Sequence, residues 1–283
     1  MRLSKSQFIR GVQCPKSLWL YKFKPELRQE PDEALQAIFG TGHEVGMLAQ
    51  RLFPGGTTIS YQPAKLYENV KKTAELIRSG VETIYEATFL HDDVLVMVDI
   101  LHKEPEGWEL YEVKSSTSVS EVYVNDVAIQ YYVVKGSGVD LKKASVVHIN
   151  NQYVRQGELE IPSLFTISPQ TENVIQQQAL ISSELRKLKE VVAKGSPEPV
   201  RDIGMYCDDP YECDFKGHCW QNIPEESVFS LYFMGRQKKF DLYSQGIIKL
   251  DQINSEARLT AIQQMQVAAA LTGKEFINKE GIS

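Results

Sequence analysis

Two acidic residues and a lysine lie at the ends of apolar segments in the middle of the chain. Asp99 follows the apolar run VLVMV, and Glu112 and Lys114 are two residues apart in WELYEVK. In a strand, residues i and i+2 point to the same face, so Glu112 and Lys114 project together while Val113 faces the opposite way. A neighbouring strand that carries Asp99 would bring two carboxylates and an ammonium together at the edge of a hydrophobic sheet.

Such a group suits a hard divalent cation. Carboxylate oxygens of Asp99 and Glu112, the carbonyl of Val113 and waters would satisfy Mg²⁺ or Mn²⁺, which prefer octahedral oxygen ligands. The cation would polarise a phosphoryl oxygen and lower the pKa of a bound water. Lys114 would orient that water or neutralise charge in the transition state. The alternative is an ion pair on the surface of a strand, because D-x(n)-E-x-K is a common pattern.

The four cysteines form a second candidate site. Cys14 stands alone, whereas Cys207, Cys213 and Cys219 fall within thirteen residues as C-x5-C-x5-C. Four thiolates suit a [4Fe–4S] cluster, and the turn-rich segment between them is typical of a loop around a cluster. Zinc favours closer cysteine pairs, although His218 would be available as a zinc ligand. Disulfides or free thiols are the remaining alternative.

Periodicity predicts the elements that must position these residues. A capping box of Ser4 and Gln7 starts a helix, which Cys14-Pro15 interrupts. Further helices are predicted over 32–52, 66–79, 123–135 and 170–194. Alternating segments predict strands over 81–90, 94–102, 108–116, 144–150 and 158–167. Short connections join the first three strands into an antiparallel meander, so the order of elements predicts a mixed α/β core rather than a doubly wound sheet.

The C-terminal segment, residues 226–283, is predicted to be wholly helical and to follow a domain of residues 1–225. Within it, LYSQGIIKLDQI resembles half of a helix–hairpin–helix, whose glycine turn exposes backbone N–H groups to phosphate. A plain helical hairpin is the alternative.

Composition and charge distribution narrow the class of protein. With 42% hydrophobic and 24% charged residues, the chain is typical of a globular protein. It has neither an apolar run of about 18 residues nor a secretory signal, so a cytoplasmic protein without membrane contact is predicted. Residues 1–28 carry seven basic side chains against Glu26 alone, in a chain of net charge −6. This asymmetry is typical of a basic strip that meets phosphates, or of a solvated helix face.

The run VDIL…YEVKSS, with Asp99, Glu112 and Lys114 on a strand meander, resembles the core of RecB-type PD-(D/E)xK nucleases. The resemblance implies a restriction-endonuclease-like fold, a mixed sheet flanked by helices. It implies a further metal ligand in His43 of FGTGHEVG. It also implies a catalytic glutamine and aromatic residue after the E-x-K strand, at Gln130 and at Tyr131 or Tyr132 in VAIQYYVV. Tyr132 is the residue we predict.

The cysteines extend this resemblance. In iron–sulfur members of the family, including CRISPR-adaptation exonucleases and AddB-type helicase–nucleases, one cysteine precedes the nuclease core and three follow it. The context CPKSLWL of Cys14 is similar to their N-terminal motif, so the resemblance implies a [4Fe–4S] cluster that links Cys14 to Cys207, Cys213 and Cys219 as a structural staple. The resemblance to these nucleases covers about residues 4–222. Bacterial RecB-like proteins of undefined role are most similar, and their C-terminal DnaQ-like exonuclease domain would lie beyond this chain.

Two functions from different classes follow as expectations. The first is a Mg²⁺- or Mn²⁺-dependent DNA nuclease, acting as an exonuclease on single-stranded or end-bearing DNA. The second is a nucleic-acid-binding module, stapled by a cluster or by zinc, that does not cleave. The intact Asp99, Glu112 and Lys114 favour the nuclease, because a scaffold would not need all three.

Overall fold

The computed structural model describes residues 1–254 and 257–274, with only the backbone described at residues 34, 35 and 39. The chain divides into two compact units. The first contains residues 1–25 and 30–199, and the second contains residues 26–29 and the chain from Val200 onward. The three later cysteines therefore belong to the same unit as the C-terminal helices, ahead of the predicted domain boundary at residue 225.

The first unit is an α/β structure. Its strands are β1 (Leu3–Ser4), β2 (Thr57–Thr58), β3 (Thr83–His91), β4 (Val94–Glu104), β5 (Gly107–Lys114), β6 (Leu141–Ile149) and β7 (Phe165–Pro169). Its helices are α1 (Lys5–Gln13), α2 (Pro15–Phe23), α3 (Glu33–Ala49), α4 (Leu66–Arg78), α5 (Glu121–Gly136), α6 (Ile161–Leu164) and α7 (Thr171–Val191).

Within the described residues the strands form one seven-stranded mixed sheet. The order is β2-β3-β4-β5-β6-β7, and β1 pairs with the start of β4. The pairs β3–β4, β4–β5 and β6–β7 are antiparallel, whereas β5–β6, β1–β4 and β2–β3 are parallel. The predicted antiparallel meander and the mixed α/β class are confirmed. Helix α5 provides the crossover that a parallel pair such as β5–β6 requires.

Two apolar cores cover the two faces of the sheet. The first core joins the sheet to α1, α5 and α7 and includes Phe8, Val98, Leu110, Ile129 and Leu185. The second core lies on the other face and consists of Ala49, Tyr85, Ile100, Tyr111, Val147, Ile161 and Phe165. Burying each large apolar side chain contributes about 1.5–3 kcal/mol. The alternating pattern that predicts the strands is therefore the pattern that fills both cores.

The alternation is interrupted at one point in the middle of the sheet. Val98 packs in the first core and Ile100 in the second, although strict alternation would place both on one face. Asp99 lies between them, and the residue opposite it in β3 is Glu86, which has a positive φ of 57°. A residue in this conformation bends the strand locally. The irregularity therefore places two acidic residues opposite each other on neighbouring strands.

Most predicted helix starts are found near their predicted positions. The capping box is present, with Ser4 Oγ accepting from the Gln7 N–H and Gln7 Oε1 accepting from the Ser4 N–H, both at 3.2 Å. The segment 158–167 differs from the predicted strand, because Pro162 lies in the first turn of the short helix α6 and only the part from Phe165 is extended. The two-residue strands β1 and β2 are too short to give a periodic signal.

The second unit contains α8 (Lys216–Cys219), α9 (Arg236–Ser244) and α10 (Ala261–Thr272), and α9 and α10 pack on a small core of its own. The segment predicted to be wholly helical is instead helical in parts, because glycine turns end both α9 and α10. Gly246 after α9 has a φ of 80°, and Gly273 after α10 has a φ of 65°. A single 3-10 turn, Leu250–Gln252, follows the glycine turn after α9. Residues 255, 256 and 275–283 of the predicted helix lie outside the described residues.

Among the residues that the structure describes, no helix combines the length and apolar character needed to cross a membrane.

Candidate active site

The three residues predicted from the strand pattern lie together. The Lys114 Nζ is 2.8 Å from the Glu112 Oε1, so both side chains project to the same side of β5. The Val113 N–H donates to the Asp99 Oδ2 at 2.7 Å, which ties the carboxyl group of β4 to the adjacent strand. Val113 itself packs against the second core, as its place between two polar neighbours predicts. The side chain of Glu112 is 2% exposed.

Helix α5 adds two residues to this group. The Gln130 Nε2 donates to the Glu112 Oε2 at 2.7 Å and to the Asp126 carbonyl at 3.1 Å. One turn earlier, the Asp126 Oδ2 accepts from the Lys114 Nζ at 2.5 Å. Residues i and i+4 share one face of a helix, so Asp126 and Gln130 face the strand together. The structure thus brings the predicted Gln130 to the carboxylates and adds Asp126, which the sequence analysis missed.

A third element reaches the same carboxylate from the N-terminus. Lys5 is in the first turn of α1, and its Nζ donates to the Glu112 Oε1 at 2.6 Å. Pairing of Leu3 with Val94 and of Ser4 with Leu95 places the start of this helix beside β4. The Glu112 Oε1 therefore accepts from two ammonium groups, those of Lys5 and Lys114.

The charged side chains of the site lie close enough together to shift one another's pKa values. Burial and the neighbouring charge of Glu112 raise the pKa of Asp99 to about 8. Burial alone would raise the pKa of Glu112, but the ammonium groups of Lys114 and Lys5 outweigh it and lower that pKa. Burial would likewise lower the pKa of Lys114, but Glu112 and Asp126 raise it above its ordinary value. Glu112 is thus a charged carboxylate, whereas Asp99 lacks an equivalent cation.

Glu86 and His43 complete the surroundings. Burial is the main cause that raises the pKa of Glu86, and the charge of Glu112 adds to it, while Lys5 and His43 act in the opposite direction. His43, on α3, is exposed but lies within electrostatic reach of Glu86. The predicted histidine is therefore close enough to Glu86 for an electrostatic interaction. The left-handed backbone of Glu86 costs about 1–2 kcal/mol relative to an extended residue, and such strain is frequent at functional sites.

We expect Glu86→Gly to stabilise the protein by about 1 kcal/mol, because glycine adopts a positive φ without steric cost. If the predicted metal-dependent nuclease is correct, the same variant should lower cleavage by about tenfold, because one carboxylate is lost beside Asp99. Thermal unfolding and a cleavage assay measure the two effects.

Asp93→Gly is the matched control for Glu86→Gly, since Asp93 has the same φ of 57° but lies in the exposed turn between β3 and β4. It should gain stability without losing activity. If Glu86→Gly lost stability and kept full activity, Glu86 would have no role in the site.

Tyr132 lies elsewhere. Its hydroxyl donates to the Asp92 Oδ2 at 3.1 Å, and its ring is 5.6 Å from that of His91, at the turn between β3 and β4. Two residues along a helix correspond to a rotation of about 200°, so Tyr132 cannot share the face of Gln130. Tyr132, which we predicted as a catalytic residue, therefore does not lie with Gln130 at the carboxylates in this structure. Tyr131 packs in the first core.

The donor set fits a divalent cation in charge and in chemistry. Four carboxyl groups surround two ammonium groups here, those of Glu86, Asp99, Glu112 and Asp126 around Lys5 and Lys114. Gln130 Oε1 is buried without a hydrogen-bond partner among the described residues, so an acceptor for a water proton is available. No three His, Cys, Asp or Glu side chains of the described part of the chain are already arranged as metal ligands.

Cys14 belongs to the first unit of the chain, and the other three cysteines belong to the second. Cys14 is buried between α1 and α2. In the second unit, the Cys213 N–H donates to the Cys207 carbonyl at 2.8 Å, and the Gly204 N–H donates to the Cys207 Sγ at 3.5 Å. Cys219 ends the short helix α8, and its N–H donates to the carbonyl of Phe215 at 3.0 Å. The C-x5-C-x5-C segment is therefore a wound loop held by its own backbone hydrogen bonds.

The basic side chains of residues 1–28 have several different partners. Three of them pair with carboxylates, Lys5 with Glu112, Lys16 with Glu198 and Arg28 with Asp214. By contrast, two like charges meet at the start of the chain, where the Lys22 Nζ donates to the Arg2 carbonyl at 2.9 Å. Burial and the charge of Arg2 lower the pKa of Lys22, and the Arg2 Nη1 is buried without a hydrogen-bond partner among the described residues.

Asp126 and Lys5 were not predicted as site residues, and the sequence contains only weak indications of them. Asp126 is one helical turn before Gln130, so its position on the same face was available from the predicted helix. Lys5 directly follows the capping residue Ser4, but nothing in the sequence indicates that this turn lies beside β4. The pairing of β1 with β4 makes that contact.

No protein-family model matches the chain, and no curated protein matches it in sequence. Among solved structures, the chain is similar to the alkaline exonuclease LHK-Exo from Laribacter hongkongensis, with 12% sequence identity and a TM-score of 0.29 over 67% of this chain and 89% of that one. It is also similar to SSO0001, with 10% identity and a TM-score of 0.32 over 69% and 87% of the two chains. This is a distant likeness in fold alone.

Proposed function

We propose that the chain is a metal-dependent DNA nuclease of the PD-(D/E)xK type. The observation that carries the proposal is the group formed by Asp99, Glu112 and Lys114 at the middle of a mixed sheet, with Gln130 bonded to Glu112. Two carboxylates, an ammonium and a buried amide on adjacent elements can bind a divalent cation and position a water for hydrolysis of a phosphodiester.

The residues that would hold Mg²⁺ or Mn²⁺ are Asp99 and Glu112, with the carbonyl of Val113 and with His43 at the rim. Oxygen ligands from two carboxylates suit both ions. The nearby charge of Glu112 contributes to the raised pKa of Asp99, and a divalent cation bound by both carboxylates would relieve that repulsion. When bound, the cation would supply Lewis-acid polarisation of a phosphoryl oxygen and a more acidic water.

The other side chains position and balance these groups. Gln130 holds the Glu112 Oε2 by its amide N–H, which leaves Glu112 one orientation. Lys114 is fixed between Glu112 and Asp126 with its ammonium 5.1 Å from the centre of the Tyr123 ring. From this place it would orient the attacking water and neutralise charge that develops on the phosphoryl group. Asp126 thus acts through Lys114 as a positioning residue.

DNA is the substrate that we propose, as single strands or as duplex ends. The pair of Arg2 and Lys22 supports an anionic substrate, because two like charges lie together there and the Arg2 Nη1 has no hydrogen-bond partner among the described residues. These residues flank β1, whose partners in β4 are four to five residues from Asp99. That spacing corresponds to about 13–17 Å along a strand.

We also propose that Cys14, Cys207, Cys213 and Cys219 bind a [4Fe–4S] cluster. The support is the set of four thiols and the N–H donor of Gly204 on the Cys207 sulfur, since hydrogen bonds to ligand sulfurs are a feature of such clusters. The donor type fits iron and sulfide better than it fits a hard oxygen-seeking cation.

Digestion of end-labelled linear and circular single strands, with Mg²⁺, Mn²⁺ or EDTA, tests the nuclease. We expect cleavage that requires the divalent cation and that is faster on the linear strand. Cleavage of circles at the same rate would make the enzyme an endonuclease. Binding without cleavage under every metal condition would support a nucleic-acid-binding module instead.

A further inference from the structure

Lys5 occupies a place in the candidate active site that the proposed chemistry does not use. Its ammonium donates to the Glu112 Oε1 at 2.6 Å, and the ammonium of Lys114 is 2.8 Å from the same oxygen. The Glu112 Oε2 accepts from Gln130. The Glu112 Oε1 already accepts from two ammonium groups, so a divalent cation can bind this oxygen only if one of the two leaves.

The contacts of the three donors indicate which of them leaves. Lys114 is held by a second carboxylate, Asp126, at 2.5 Å, and Gln130 is fully buried and bonded to its own helix. Lys5, by contrast, donates to Glu112 and to no second carboxylate among the described residues. Its four-carbon stem is flexible and carries a compact charge.

We propose that Lys5 is an exchangeable counter-ion that neutralises Glu112 in the metal-free protein and yields the Glu112 Oε1 to the divalent cation. The inference rests on the proposed function, because it assumes a cation at Asp99 and Glu112. A cation on that oxygen would lie a few ångströms from the ammonium, where like charges repel strongly in a partly buried setting. Lys5 therefore lowers the affinity of the site for metal.

After leaving Glu112, the ammonium of Lys5 would still have other hydrogen-bond acceptors nearby. Asp99 and Asp126 lie within electrostatic reach of Lys5, and a substrate would bring phosphate oxygens to the same place. Binding of the cation would thus release the Lys5 ammonium from Glu112. The released positive charge would then be available to a phosphate of the substrate. Lys5 is in this respect a positioning residue for the proposed reaction rather than a ligand of the cation.

Calorimetric titration of the anaerobically purified protein with Mn²⁺ alone tests the inference. We expect Lys5→Met to bind Mn²⁺ about tenfold more tightly than the wild type, a size typical of coupled neighbouring charges. Lys5→Arg, which keeps the charge, should stay within about twofold of the wild type. Lys72→Met removes one positive charge from an exposed position on α4 and is the matched control; it should leave the affinity unchanged.

Thermal unfolding gives a readout that does not depend on activity. Without metal, Lys5→Met should unfold at a lower temperature than the wild type, because Glu112 loses one of its two cations. Addition of Mn²⁺ should raise its unfolding temperature by more than that of the wild type, since stabilisation follows affinity. If Lys5→Met proves too unstable to titrate, Lys5→Gln keeps a hydrogen-bond donor and carries the same expectation.

An Mn²⁺ affinity of Lys5→Met equal to or below that of the wild type would overturn the inference. The proposed cation site fails by a different result. If Asp99→Asn leaves Mn²⁺ binding unchanged, in the wild type and in Lys5→Met alike, the site itself is wrongly placed. Loss of binding in Asp99→Asn together with an unchanged Lys5→Met affinity removes only the role of Lys5.

Discussion

Glu112→Gln, Asp99→Asn and Lys114→Met are each expected to lower metal-dependent DNA cleavage by about a thousandfold or more. The first two remove a carboxylate from the proposed cation site, and the third removes the ammonium that Glu112 and Asp126 hold at 2.8 and 2.5 Å. DNA affinity should change little, because affinity comes mainly from basic residues that contact phosphates. Single-turnover cleavage and metal-free DNA binding measure the two quantities separately.

Tyr132→Phe is the control for this series. Tyr132 is on α5, the helix that carries Gln130, but its hydroxyl contacts Asp92 at the turn between β3 and β4. The variant should cleave at nearly the wild-type rate, which would separate a general effect on α5 from an effect on the site. A Lys114→Met protein that cuts as fast as the wild type would remove the main support for the proposed mechanism.

Cys213→Ala and Cys14→Ala are expected to lose iron and to lower the unfolding temperature by roughly 10 °C. A cluster that joins Cys14 to the later cysteines closes a loop of nearly two hundred residues. By analogy with disulfides, such a link contributes about 4–5 kcal/mol, and each kcal/mol shifts the unfolding temperature by about 2–4 °C in a protein of this size. Iron analysis and thermal unfolding of anaerobically purified protein measure both effects.

Asp99→Asn is the complementary variant, because it should keep about four iron atoms per chain while cleavage is lost. The cysteine variants should lose cleavage together with stability, as expected for a structural cluster. A redox role predicts instead that they stay folded and that wild-type activity follows the oxidation state of the cluster. Stoichiometric zinc without iron after anaerobic reconstitution, or a wild-type unfolding temperature for Cys213→Ala, would contradict the structural cluster.

Local sequence patterns determined the parts of the site that a single element builds. The alternation of β5 was sufficient to predict that Glu112 and Lys114 share a face and that Val113 faces a core, and the structure has this arrangement. The capping box at Ser4 likewise determined the start of α1. Both depend on residues at most three positions apart, where the geometry of a strand or of a helix end leaves few alternatives.

Tertiary structure decided which residues of distant segments complete the site. Lys5 reaches Glu112 across 107 positions of sequence, through the pairing of a two-residue strand that carries no periodic signal. Glu86 faces Asp99 because the alternation of two strands changes phase there, which a regular pattern cannot predict. The orientation of α5 against the sheet selected Gln130 and Asp126 and excluded Tyr132. Such contacts follow from the packing of whole elements, and local sequence does not specify that packing.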